Sequence, residues 1–206
     1  PTRFGWPGQL RLTAGDGVRG LREGVGLQAR FDDPCGIVLM EDGTRYVADA
    51  GDNNRIRRIA ADGTVTTLAG GREGFADGTG PAAAFHTPSA LARDGDGNLY
   101  VADTGNHAIR RITPQGVVTT VAGTGEAGYR DGPARQAQFN GPIGVAVDGS
   151  GRIYVADTYN DRIRLISREG DVTTLAGGEH PGFLDGSGTE ARFDTPAGIA
   201  VGAAGV

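Results

Sequence analysis

Lysine is missing from this chain: all 20 basic side chains are arginine. No amine is therefore available as a nucleophile or for Schiff-base chemistry. Acidic residues outnumber basic ones, giving a net charge of −5 and a pI near 5.2. That balance weighs against general nucleic-acid binding, which needs a basic face. The single cysteine, Cys35, cannot form an internal disulfide, so the compartment stays open. Apolar runs long enough for a membrane-spanning helix are absent. So is the charged-then-apolar opening of a secretion signal, which a trimmed chain would have lost. Aromatic residues make up only 6% of the chain, and no helical periodicity of useful length appears.

Glycine is what the chain has instead, with 37 residues, and it falls at regular intervals. Phe31, Phe85, Phe139 and Phe193 are evenly spaced, as are Pro34, Pro88, Pro142 and Pro196, and Tyr46, Tyr100 and Tyr154. The period is 54 residues, long enough for a supersecondary unit. One period contains an apolar run, an Asp/Gly turn and a second run, as in "GPIGVAVDGSGRIYVAD". A polar knot follows, then another alternating pair, "RIRLISREGDVTTLAG". Short β-branched runs joined by Gly and Asp turns are hairpins. Each repeat thus reads as four antiparallel strands, A to D, followed by a long Gly-rich loop. Such units suit the blades of a β-propeller, with a flat solenoid as the second choice.

The repeat "PxGIAVDxxGxxYVADxxNxxIRxI" resembles the NHL repeat, whose core survives as Asn106-His107-Ala108 and as Asn160-Asp161-Arg162. The resemblance implies an all-β propeller, usually of about six blades. It leaves activity open, because relatives include RNA and protein binders, an amidating lyase and gluconolactonase-like enzymes. The expected organisation is one partial propeller over residues 1–206. Residues 1–30 would be the last strand and loop of a preceding blade, 31–84, 85–138 and 139–192 complete repeats, and 193–206 the first strand of the next. A D-like strand at 10–15 and an A-like strand at 198–204 would lie at the ends. On that reading the chain is a fragment of a larger ring, completed by further chain or by a second copy.

The polar knot holds Asp49, Asp103 and Asp157, with Asn54, Asn106 and Asn160 read as their in-phase companions. A catalytic centre is normally unique, so residues repeated in every blade read as turn-formers bonding nearby backbone N–H groups. Arg57, Arg110 and Arg164 recur in strand C, paired with the repeated Asp or lying on a solvated face. Asp77, Asp131 and Asp185 read as tight turns with the glycine that follows, and Phe75, Tyr129 and Phe183 as anchors for their loops. "DGDGN" at 94–98 lacks the later Glu of a calcium loop, and "GTGEAG" precedes no helix, so it is no phosphate loop. Cys35, with Ser89, Ile143 and Ala197 at equivalent places, reads as a packing residue.

Function is better sought where the repeats differ. In a four-stranded meander the B–C and D–A loops share a face, and loops on a rigid scaffold usually carry binding residues. Asp32, His86, Asn140 and Asp194 occupy one equivalent position leading into strand A. They would either ring the channel mouth, as a site for a divalent metal or a polar ligand, or cap their loops and face water. His107 and Tyr159 also break the repeat on this face. The leading expectation is a non-enzymatic scaffold binding a protein or a small polar ligand, without a cofactor. The alternative is a metal-dependent propeller enzyme of lactonase or amidating-lyase type.

Overall fold

The computed structural model describes residues 11–202, so Phe4, Trp6 and Leu10 lie outside the described residues, as do 203–206. Three antiparallel sheets stand side by side. The first contains β1 (Gly24–Val25), β2 (Pro34–Leu39), β3 (Arg45–Asp49), β4 (Arg55–Ile59) and β5 (Thr64–Ala69). The second contains β6 (Gly78–Thr79), β7 (Pro88–Arg93), β8 (Leu99–Asp103), β9 (Ala108–Ile112) and β10 (Val117–Ala122). The third contains β11 (Gly132–Pro133), β12 (Pro142–Val147), β13 (Ile153–Asp157), β14 (Arg162–Ile166) and β15 (Asp171–Ala176). The meander of strands A to D is thus present three times, as β2–β5, β7–β10 and β12–β15. No helix among the described residues is long and apolar enough to cross a membrane.

Each blade has a fifth strand that the sequence reading placed in a loop. β1, β6 and β11 pair with the D strands β5, β10 and β15. The order across the second sheet is β6-β10-β9-β8-β7. After strand D the chain therefore leaves its blade and runs down the outer edge of the next. It turns through a short 3-10 segment, or in the third blade a hydrogen-bonded turn at 134–136, and returns inward to strand A. The D–A segments do not remain on the face shared with the B–C loops, because half of each is drawn into the seam. Ala83, Ala84 and Phe85 are buried there, as are Ala137 and Phe139 in the next copy.

Packing follows from that route, since the apolar clusters lie between blades. One joins Ala48, Ile56 and Ala69 of the first blade to Phe85 of the connecting segment and Leu91, Leu99, Val101 and Ile112 of the second. The next joins Ala102, Ile109 and Ala122 to Phe139, Val145, Ile153, Val155 and Ile166. Full burial of a phenylalanine contributes about 1.5–3 kcal/mol, so each Phe welds two blades. Near the inner edge the A strands approach closely. A Cβ on Gly36 would sit 2.6 Å from the Ser89 carbonyl oxygen, so only glycine fits there.

The D-like strand at 10–15 and the A-like strand at 198–204 are not found as strands in the described part of those segments. Strand geometry is defined by a hydrogen-bonded neighbour, and none of the described residues supplies one there. The earlier segment is held otherwise, with Gly15 and Asp16 donating to the carbonyls of Gly26 and Ala29.

Candidate ligand face

The polar knot is built around a buried ion pair. Asp49, Asp103 and Asp157 are fully buried, and so are Arg57, Arg110 and Arg164 opposite them. The pairs Arg57–Asp49, Arg110–Asp103 and Arg164–Asp157 close at 2.8, 2.7 and 2.6 Å. Each carboxylate accepts twice more. One bond comes from the backbone N–H of Asp32, His86 or Asn140, the other from the side-chain amide of Asn53, Asn106 or Asn160. Burial pushes the Asp103 and Asp157 carboxyls up, and the Asn, Arg and N–H donors oppose it. With donors alone facing its oxygens, the site is shaped for a carboxylate. Such a pair is costly to break, because the partner left behind is a buried charge.

The companion of Asp49 is Asn53, not Asn54, which corrects the phase read from sequence. The first B–C loop is one residue longer, so counting forward three from Asp49, as from Asp103 to Asn106, lands on Asp52 rather than on an asparagine. Counting back from the buried Arg57 puts Asn53 level with Asn106, and Asn54 level with His107 and Asp161. Asp52 is the added residue, and its N–H donates to Asp32 Oδ2.

The arginines do more than pair with the repeated Asp, and their burial removes the solvated-face option. Each donates to backbone carbonyls of the segment descending between blades: Arg57 to Arg22 and Arg30, Arg110 to Ala76 and Ala84, Arg164 to Arg130 and Gln138. Aromatic rings sandwich the guanidinium. Phe75 and Phe85 lie 4.9 and 5.3 Å from Arg110, and Tyr129 and Phe139 lie 4.9 and 5.1 Å from Arg164. Planar guanidinium groups suit this stacked, multi-donor place, where an ammonium would not.

Asp77 and Asp131, expected as plain turns, complete the node. Asp77 accepts from Arg110 at 2.9 Å and from the Thr120 hydroxyl, and Asp131 accepts from Arg164 at 2.6 Å and from the Thr174 N–H. A carboxylate thus caps a donor on the outer D strand, where the two-residue strand no longer covers it. Edge strands are commonly blunted by charge in this way. The signal available in the sequence was the spacing shared by Asp77, Asp103 and Arg110 and by Asp131, Asp157 and Arg164. Phe183, expected to anchor its loop, is 92% exposed.

Three of the four variable positions, Asp32, His86 and Asn140, are equivalent in structure. Besides the N–H bonds of Asp32, His86 and Asn140, their carbonyls accept from the N–H of Gly51, Gly105 and Tyr159. Their side chains diverge. Asp32 is buried against Arg19, whose Nε donates at 2.7 Å and holds the carboxyl below its ordinary value. His86 packs over Gly105, with Nε2 3.7 Å from a Glu73 oxygen. Asn140 is half-buried, and Asp194 is exposed beside the Thr195 hydroxyl. Among the described residues no three His, Cys, Asp or Glu side chains gather as metal ligands would. His107 faces the seam, and the ring of Tyr159 packs against Gly141 along its Cδ2–Cε2 edge while the residue is 60% exposed.

Cys35 is exposed rather than packed, with its thiol pushed up by partial burial and by Asp33. The "DGDGN" turn is filled by its own donors. Asp94 accepts from the N–H groups of Asp96 and Asn98, the Asn98 amide and the Tyr100 hydroxyl. Sequence reasoning missed an open groove of about 640 Å³ on the outer rim, lined by Phe75, Asp77, Thr120, Thr124 and Arg135.

The family model for the NHL repeat matches residues 85–112 and 139–164. Protein SUPPRESSOR OF QUENCHING 1, chloroplastic, of Arabidopsis thaliana is 35% identical over 172 residues, covering 77% of this chain and 16% of its own length. NHL repeat-containing protein 2 of Gallus gallus is 34% identical over 164 residues, covering 72% of this chain and 22% of its own. The chain therefore spans under a quarter of either relative. An auxiliary nutrient binding protein of Bacteroides thetaiotaomicron superposes with a TM-score of 0.68 at 19% identity, over 86% of this chain and 44% of that one. A virginiamycin B lyase from Staphylococcus aureus gives 0.54 at 21% identity, over 82% and 45%. At such identities the likeness concerns fold. By the repeat that the family model matches and by these relatives, the chain belongs to the NHL-repeat family of β-propellers.

Proposed function

We propose that this propeller scaffold binds a partner protein or a small polar ligand, without catalysis, on the face carrying the B–C loops. The observation that carries this reading is a division of labour. Residues that repeat in every blade spend their polar groups inside the node, whereas Asp32, His86, Asn140, Asp194 and Tyr159 differ from blade to blade around one rigid frame. Varied side chains at equivalent places are what recognition needs, and a repeated frame fixes their positions. Tyr159, packed against Gly141 and exposed, supplies the amphipathic contact typical of interface centres. Repeats over 31–84, 85–138 and 139–192, with further blades or a second copy completing the ring, are part of the same proposal.

A photo-crosslinking residue placed at Tyr159, and at Asp96 on the opposite face, tests this in the native host. A discrete adduct from position 159 and none from 96 supports it. Adducts from 96 alone, or indiscriminate labelling from both, would sink it.

A further inference from the structure

One clasp recurs at the blade seams with a different acceptor each time. The residue ending each B–C loop is left-handed, with φ of 46° at Asn54, 51° at His107 and 54° at Asp161. Its side chain reaches into the next blade. Asn54 Oδ1 accepts the Thr87 N–H at 2.7 Å, and Asp161 Oδ1 accepts the Thr195 N–H at 2.7 Å. Between them, His107 Nδ1 accepts the Gly141 N–H at 2.9 Å. The receiving residues are left-handed too, with φ of 52°, 54° and 49° at Thr87, Gly141 and Thr195. Two bent turns are therefore held together across each seam by one bond.

An amide does not titrate, and a carboxylate keeps its acceptors throughout the neutral range. Imidazole alone changes character between pH 5 and 8. Nδ1 acts here as an acceptor, so the neutral ring carries its proton on Nε2. A proton taken from solvent onto Nδ1 would set one N–H against another. We propose that the seam between the second and third blades is a proton-operated latch, in which protonation of His107 at Nδ1 releases Gly141. Tyr159 lies directly on Gly141, since a Cβ there would come within 2.3 Å of its ring. Release therefore moves the floor beneath an exposed aromatic group, and the latch acts on the B–C face whatever that face binds.

Two ionisable groups bear on this ring. Asp157, at the end of β13, favours the imidazolium, and His86, on the segment entering the second blade, disfavours it. Asp157 is already engaged by Arg164, Asn160 and the Asn140 N–H. Burial is the largest influence and pushes His107 below its ordinary value of 6.5. With the folded value below the unfolded one, the clasp contributes fully above that pH. Its contribution is lost as the pH falls below 6.5 toward the folded value.

Nitrogen NMR of the histidine rings in the full chain, with amide exchange at Gly141, tests the latch between pH 8 and 5. The expected result is a bare Nδ1 and a protonated Nε2 at pH 8. Gly141 protection, corrected for intrinsic exchange, then falls roughly tenfold on acidification while Thr87 and Thr195 hold steady. His107→Asn, which copies the untitratable clasp of Asn54 and tolerates the left-handed turn, should keep Gly141 protected at both ends. A proton on Nδ1 at pH 8 would overturn the proposal. So would Gly141 protection that is level in the parent chain, or that falls equally in the variant.

Discussion

The first and third blades use the same buried node but close it differently. Arg164 donates from Nε and a terminal nitrogen to Asp131 at 3.2 and 2.6 Å, besides pairing with Asp157. At the place of Asp131 the first blade has Glu23. Its longer side chain bypasses the guanidinium and accepts the Thr67 N–H instead. Arg57 is left with Asp49 and two carbonyls, and its buried Nε has no partner. The second blade is intermediate, because Asp77 meets a terminal nitrogen of Arg110 while Nε stays unpartnered. One methylene thus separates the two guanidinium groups that meet a second carboxylate from the one that does not. Repeats that look interchangeable as text differ in how well their interiors are satisfied, and a buried donor without a partner costs about 1–3 kcal/mol.

The largest expected effect separates the two nodes directly. Arg164→Leu abandons Asp157 in the interior and should lose about 3–5 kcal/mol by urea denaturation. Arg57→Leu should fall at the lower end of that range, because only one carboxylate loses it; equal losses would break the comparison. Next come the rings beneath the arginines. Phe139→Ala should cost about 3 kcal/mol or more, and Phe31→Ala distinctly less, since Phe31 is only half-buried. Melting curves of the two variants would show whether that order holds. Exchanging the acids sharpens the contrast further. Asp131→Glu should cost about 1–2 kcal/mol, and Glu23→Asp should gain up to about 1 kcal/mol if the shorter acid reaches Arg57. Urea midpoints moving the other way for both would show that side-chain length is irrelevant.

The smallest effect lies in the A–B turns. Asp148 is held far below its ordinary value of 3.8: burial alone would raise it, but Ser150 and Arg152 donate to it. Asp42 is lowered chiefly by the Thr44 N–H and hydroxyl. A depressed carboxyl contributes above its unfolded value and loses that contribution as the pH falls below it. Asp148→Asn should therefore flatten the acid limb of the stability curve below about pH 4 more than Asp42→Asn does. Acid unfolding followed by circular dichroism would register the difference.

Much of the architecture could be read because it is written in periods. Alternation, turn residues and the 54-residue spacing marked strands A to D, since a half-buried strand imposes a two-residue pattern. The fifth strand could not be read, because two residues such as Gly78–Thr79 are too short for any alternation. The pairing of Arg110 with Asp103 was one of two options left by the sequence. Choosing between them required knowing that the descending segment would bury that face. Asn53 was passed over because the longer first loop offers two adjacent asparagines, and only the distance back from Arg57 tells them apart. The latch residue His107 was noticed as an exception to the repeat, but its acceptor role depends on Gly141, thirty-four residues on in another blade.

The route of the segment between blades has a consequence for how such a chain can be duplicated. Each sheet takes its outermost strand from residues preceding its own strand A, so one sheet occupies an unbroken stretch such as 78–122. A copied cassette cut just before Gly78 would carry a whole sheet, with its outer edge already covered. A cassette cut at Phe85, where the repeat begins as text, would leave that covering strand behind and bring one meant for a neighbour. Joints made before the short strand should therefore be tolerated in circular permutants and blade insertions. Joints made at the phenylalanine should need a matching neighbour on each side.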